Sequence, residues 1–125
     1  MQAGFALFAA GLIRAKNSLS LLAGSFIDVC LGTLIFYVFG YALMFGDGGA
    51  LNHLVGAEGF FLLGARDLHR GRPVEAGWLF HATFCAAAAT ICAGAMAGRL
   101  RFSAYLLLTA WICGVVYPVA GHWNW

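Results

Sequence analysis

Asp28 is a carboxylate set inside an apolar run over residues 19–45, and its surroundings limit what it can do. A lone charge in lipid is expensive, so the group must be protonated, paired or close to an interface, here two to three helical turns beyond the polar Lys16 and Asn17. Two roles fit that position: a helix-packing carboxylate bonded to backbone or hydroxyl groups, and a station for proton or ion passage. His69 with Asp67, or His53 with Glu58, offers a metal-binding pair, but a metal site needs three or four ligands at a recognised spacing. These histidines are expected to be solvated or interfacial. Cys30, Cys85, Cys92 and Cys113 each lie in an apolar run without CxxC spacing, and read as buried free thiols. There is no serine elbow, phosphate-binding loop or dinucleotide glycine motif, so nothing argues for an enzyme or a cofactor.

The elements that hold these residues follow from composition. Of 125 residues, 62% are hydrophobic and 10% charged, and the mean hydropathy is +0.85. A soluble domain of this length needs far more polar surface, so the sequence specifies an all-α integral membrane protein. The net charge of +2 comes from scattered basic residues, which excludes a nucleic-acid footprint. Three stretches are long enough to span the bilayer: about 19–45, 78–97 and 102–119. Residues 1–13 are apolar but short, a half-helix, and Arg14 and Lys16 follow this run instead of preceding it as in a signal peptide. The loop 46–77 is long for a structureless connection and predicts an interfacial or re-entrant helix around 51–63, packed partly on the protein. Pro118 is expected to kink or finish the last span, and Gly94 with Gly98 predicts a close helix contact.

Charge sets the expected orientation. Arg14 and Lys16 in one short connection, and Arg99 and Arg101 in another, carry no acid beside them, which predicts that side to be cytoplasmic in an inner or plasma membrane. The N-terminus and the long loop, with its run Arg66, Asp67, His69, Arg70 and Arg72, then face outward. Trp78, Trp123 and Trp125 fall at outer ends of spans, as in an aromatic belt.

Three segments carry a family resemblance: GFALFAAGLIRAKNSL at 4–19, FGYALMFGDG at 39–48, and GAMAGRLRFSAYLLLTAWICGVVYPVAGHWNW at 94–125. In order and spacing they resemble the N-terminal third of the ammonium transporter (Amt/Mep/Rh) family. The resemblance implies a many-helix protomer with its own pore, assembled as a trimer, with an outward N-terminus. It places Met1 inside the family's first helix and Trp125 near the end of the fourth. Within LFHATFCAAAAT at 79–90, Phe84 matches the outer of two stacked phenylalanines that gate the pore, and Phe80 the aromatic one turn before it. Trp125 matches the vestibule tryptophan whose ring face attracts the cation, an attraction of about 0.5–2 kcal/mol. Read without the resemblance, phenylalanines at i and i+4 are lipid-facing or packing residues, and the tryptophan belongs to the belt.

The sequence also departs from the family. The paired pore histidines belong to later helices, and His53, His69, His81 and His122 do not match them. Ala9 replaces a usual Glu, Ala97, Gly98 and Arg99 replace an Ala-Glu-Arg triplet, and a Lys-Asn pair is missing near Gly24 and Ser25. Two functions are therefore expected as alternatives. The chain is part of an ammonium or ammonia channel, or of an Amt-type sensor, not competent for transport alone; or it is a non-transporting accessory subunit of a larger membrane complex. Both require the lipid bilayer and further transmembrane helices, in cis or from partner subunits in trans.

Overall fold

The computed structural model describes residues 2–46, 54–63, 73–96, 99 and 101–125. Among them the regular structure is helical: α1 (Gln2–Leu12), α2 (Ala15–Phe45), α3 (Val74–Met96) and α4 (Phe102–Asn124). The last three are long and apolar enough to cross a membrane, and α1 is a short apolar helix beside them. The protein is an all-α integral membrane chain.

Each helix starts and stops where the sequence withdraws support. Arg14 and Arg101 hold extended backbone ahead of α2 and α4, Pro73 precedes α3, and Gly46 turns extended to end α2. The helices outrun their apolar cores: α2 begins at Ala15, α3 at Val74, and α4 continues to Asn124. Their ends are polar residues suited to the membrane interface, which hydropathy does not count as span.

Pro118 does not end α4. It follows a π turn, Ile112–Val116, and a second π turn, Phe36–Gly40, lies in α2. A π turn pairs residues five apart, which relieves the contact between a proline ring and the carbonyl four residues back. The helix absorbs the proline.

Small residues bring the spans together. α3 presents Ala82, Cys85, Ala86, Ala89 and Ala93 as a buried stripe toward α2 and α4. A Cβ on Gly32 would lie 3.0 Å from Cys113 Sγ and 3.9 Å from Ala86 Cα, so three spans meet at this glycine. A Cβ on Gly114 would lie 2.8 Å from Phe39 Cε2 and 3.2 Å from Ile35 Cγ2. Phe36, Tyr41 and Met44 complete the core. Gly94, by contrast, is exposed with nothing of this chain within 4 Å of its Cβ position, so the expected close contact is absent there; Gly98 lies outside the described residues. Cys30 is likewise exposed and Cys92 half-buried, whereas Cys85 and Cys113 are buried as expected.

Of the predicted loop helix, residues 51–53 lie outside the described residues, as do Asp47, Asp67, His69 and the arginines at 66, 70 and 72. Residues 54–63 contain a single 3-10 turn, Phe60–Leu62, with Gly59, Phe61 and Leu62 at φ of 88°, 56° and 59°. Leu62 packs on the core, and Phe60, Phe61 and Leu63 remain exposed.

Gly114→Ala is expected to destabilise the detergent-solubilised chain by about 1–3 kcal/mol, since Phe39 and Ile35 must give way. Gly94→Ala should be neutral or slightly stabilising, because a helix gains about 1 kcal/mol when alanine replaces glycine. Denaturant unfolding followed by circular dichroism measures both. Equal losses in the two variants would show that the tight seam is misplaced.

Candidate functional site

Two polar or aromatic constellations stand out from the apolar packing, at different depths. The first is centred on Asp28, which is 0% exposed. Tyr105 donates its hydroxyl to Oδ2, and Thr109 donates to Oδ1 at 2.7 Å. These two residues sit one turn apart on α4, so both hydroxyls reach one carboxyl group across the α2–α4 seam. Gly24, one turn before Asp28, leaves room for the Tyr105 ring: its Cβ position is 3.3 Å from Tyr105 Oη. These two hydrogen bonds tie α2 to α4.

A second, softer link lies one turn further along α4. Cys85 Sγ points at the Cys113 carbonyl oxygen at 3.7 Å, and Cys113 Sγ at the Cys85 carbonyl at 4.0 Å. The Cys113 carbonyl belongs to the π turn, whose widened ladder leaves such groups available to a neighbour. At the far end of α3, the Thr90 hydroxyl lies 2.8 Å from the Ala86 carbonyl and 3.0 Å from Gln2 Oε1, which brings α1 against α3.

The second constellation is aromatic and lies where α2 ends, α3 begins and α4 ends, beside the loop that joins α2 to α3. Phe80 and Phe84 are in tilted contact, with centroids 4.9 Å apart. His81 stands perpendicular to Phe80 at 5.2 Å, perpendicular to Trp125 at 5.3 Å, and tilted against Phe45 at 4.8 Å. Phe45 continues the run to Tyr41 at 5.1 Å. Phe80, Phe84 and Trp125 are 51%, 46% and 67% exposed, so their ring faces are open beyond this chain. His81, at 3%, is enclosed by them. Exposed π faces with little competing water attract a cation, while packed phenyl rings exclude a hydrated one.

The end of α2, beside this aromatic cluster, is held by hydrogen bonds from several elements. Carbonyls in the last turn of a helix lack partners within it. Here the Ala42 carbonyl accepts from Gly46 N–H at 2.8 Å, the Leu43 carbonyl from Gly56 N–H at 2.9 Å, and the Met44 carbonyl from His122 Nδ1 at 2.8 Å. Trp123 Nε1 donates to the Leu54 carbonyl at 3.2 Å, holding residue 54 against α4.

Among the expected site residues, the structure brings Phe80, Phe84 and Trp125 to one end and leaves Asp28 apart from them. Asp28 is 17 residues before Phe45 along α2, about 25 Å by helical rise. His81 was not among the expected site residues. Its signal was present, a histidine within an apolar span and flanked by Phe80 and Phe84, but its ring partners on α2 and α4 are remote in sequence. Among the described residues, no group of three or more His, Cys, Asp or Glu side chains is placed to hold a metal.

Apolar spans joined through a buried polar knot, with an aromatic mouth at one end, define a polytopic helical membrane protein. The family model described as Ammonium Transporter Family matches residues 1–125, and the chain belongs to that family. It is 46% identical over 125 residues to the Synechocystis protein sll1017, provisionally assigned as an ammonium transporter, covering all of this chain and 28% of that protein. It is 40% identical to ammonium transporter Amt2 of Archaeoglobus fulgidus and 38% identical to ammonium transporter 1 member 3 of Solanum lycopersicum, each over the whole chain and 26% of the relative. A solved structure described as Sensor Amt Protein matches with a TM-score of 0.89 and 32% identity, covering 99% of this chain and 30% of that one. The chain thus spans 22–28% of the length of the curated relatives it matches.

Removing the Asp28 carboxyl should orphan the buried Thr109 hydroxyl and the half-buried Tyr105 hydroxyl. Asp28→Ala is expected to destabilise the chain by about 2–4 kcal/mol, and Asp28→Asn, which keeps one acceptor oxygen, by roughly half as much. A double-mutant cycle with Thr109→Val, read by denaturant unfolding, should give a coupling of about 1 kcal/mol. Strict additivity would mean that the hydroxyl and carboxyl do not interact.

Proposed function

We propose that this chain forms part of the wall and outer mouth of a membrane pathway for ammonium or ammonia, in a channel or a sensor of the Amt type, and that it conducts only together with further helices. The observation that carries the reading is the aromatic mouth, in which Trp125 and the pair Phe80 and Phe84 offer open ring faces at one end of the spans. Trp125 is the cation-attracting surface, and Phe80 with Phe84 is the apolar plug beyond it. Membership of the ammonium transporter family and the likeness to an Amt sensor support the substrate.

The need for partners rests on what the spans leave uncovered. Phe80, Phe84 and Trp125 keep open ring faces that no described residue of this chain covers, and three spans are too few to surround them. Further helices, in the same polypeptide or in partner subunits, complete the pathway. The aromatic mouth and the loop that joins α2 to α3 face outward, α1 starts deep among the spans where Gln2 meets Thr90, and the connections carrying Arg14, Lys16, Arg99 and Arg101 face the cytoplasm of an inner or plasma membrane.

A second reading, a non-transporting accessory chain, is favoured by the uncharged residues Ala9 and Gly98 at positions where the family carries charge. The two readings separate in one preparation. Isolated from its native membrane in mild detergent, the chain should appear within a heavier polypeptide or with stoichiometric partners. That assembly, in proteoliposomes, should show ammonium-dependent flux, and Trp125→Leu should raise the half-saturation about threefold to tenfold. The purified 13.3 kDa chain alone should show none. An intact assembly without flux would leave the accessory reading standing and remove the transport one.

A further inference from the structure

We infer that His81 is a positioning residue for the outer cation site, the ring that holds Trp125 and the Phe80–Phe84 pair in one fixed arrangement; this rests on the reading of the mouth as an ammonium entry. The inference begins from a mismatch. Trp125 is a large ring, 67% exposed, and an exposed side chain samples several rotamers unless something stops it. A cation gains from an indole only when the ring face is presented in the right place, so a wandering ring binds weakly. The structure supplies the stop. His81, almost fully enclosed on the first turns of α3, meets Trp125 in a perpendicular ring contact at 83°. The same imidazole meets Phe80 at 89° and Phe45 at 55°. Edge-to-face contacts are directional, unlike simple apolar burial.

Two other helices converge on that ring, α2 through Phe45 and α4 through Trp125, while its chain neighbour Phe80 on α3 meets it edge to face. His81 is thereby the link between the cation-attracting surface and the plug, since Phe80 in turn touches Phe84. The ring is itself well seated. His81 and Cys85 lie one turn apart on the buried stripe of α3, and Cys85 is fixed against the Cys113 carbonyl. The anchor on the other side is equally firm, because His122, three residues before Trp125, is hydrogen-bonded to the Met44 carbonyl beside Phe45. With both backbones fixed, the imidazole decides where the indole stands.

The consequence is a division of labour that differs from general packing. Loss of the His81 ring should weaken capture of the cation and leave the rate at saturation nearly intact. It should also matter only while Trp125 is present.

The test uses saturable methylammonium uptake by the intact assembly in its native membrane, with chain abundance followed by immunoblot. His81→Leu, which fills the space without an aromatic ring, should raise the half-saturation roughly threefold to tenfold while the maximal rate stays within about twofold. His81→Phe, which keeps a ring, should stay within about twofold of the unmodified chain on both. In a Trp125→Leu background, His81→Leu should add nothing further. The inference is overturned if His81→Leu leaves half-saturation unchanged, if it lowers only the maximal rate, or if its effect adds in full to that of Trp125→Leu. Should His81→Leu fail to accumulate, His81→Asn against His81→Phe gives the same comparison. An unmodified assembly with no saturable uptake would instead remove the functional reading of the mouth, a different failure.

Discussion

Helices surrounded by lipid gain nothing from the hydrophobic effect when they touch one another, because lipid tails are as apolar as leucine. What holds this chain together is therefore close contact between small residues, reinforced by a few polar links that would be unmet in hydrocarbon. Gly32 is the clearest instance, since a side chain there would meet Cys113 on one side and the backbone at Ala86 on the other. The Asp28 knot adds direction to this contact. Two hydroxyls on one face of α4 converge on a single carboxyl of α2, and a slip of one residue along either helix would separate them. The register of the spans, and with it the level at which their ends emerge, depends on these contacts.

The mouth inherits that register. Phe45, His81 and Trp125 come from three helices, and they meet because α2 and α4 end level with the eighth residue of α3. The end of α2 is capped by donors from three places, Gly46, Gly56 and His122, so the short loop segment and α4 both take part in fixing it. The connection between packing and site is direct: the contacts that satisfy orphaned carbonyls of α2 are the ones that seat Trp125 next to His81.

Much of this was legible in the sequence, and the rest fails for identifiable reasons. The spans follow from hydropathy and length, but their ends do not, since interfacial residues such as Trp123 and Asn124 continue a helix while looking polar. Gly94 and Gly114 are indistinguishable as small residues in apolar runs, and only their position around the helix axis makes one a contact and the other exposed. Tyr105 and Thr109 stand at the spacing needed to serve one acceptor, yet nothing local says that the acceptor is Asp28 on another helix. The family's motifs single out Phe80, Phe84 and Trp125, and the structure adds that the three lie at one end of the spans. His81 reads locally as one more histidine in an apolar run, because its ring partners Phe45 and Trp125 lie on other helices.

The two π turns have an arithmetic of their own. Each amounts to one residue inserted into a helix that carries on regardless, so everything beyond it is rotated by about 100° relative to an uninterrupted helix. In α4 that offset falls between Thr109, which faces Asp28, and Trp125, which faces His81. Deleting a single residue from 112–116 would restore a regular helix and still leave an apolar span of adequate length. The extra residue and the offset would go together, so the indole would keep its aim; drawing the turn straight with every residue kept would instead swing the indole about a quarter of the way around the axis, off the imidazole. An insertion in a regular membrane helix changes both its length and its aim; a π turn takes up the added residue and keeps the aim.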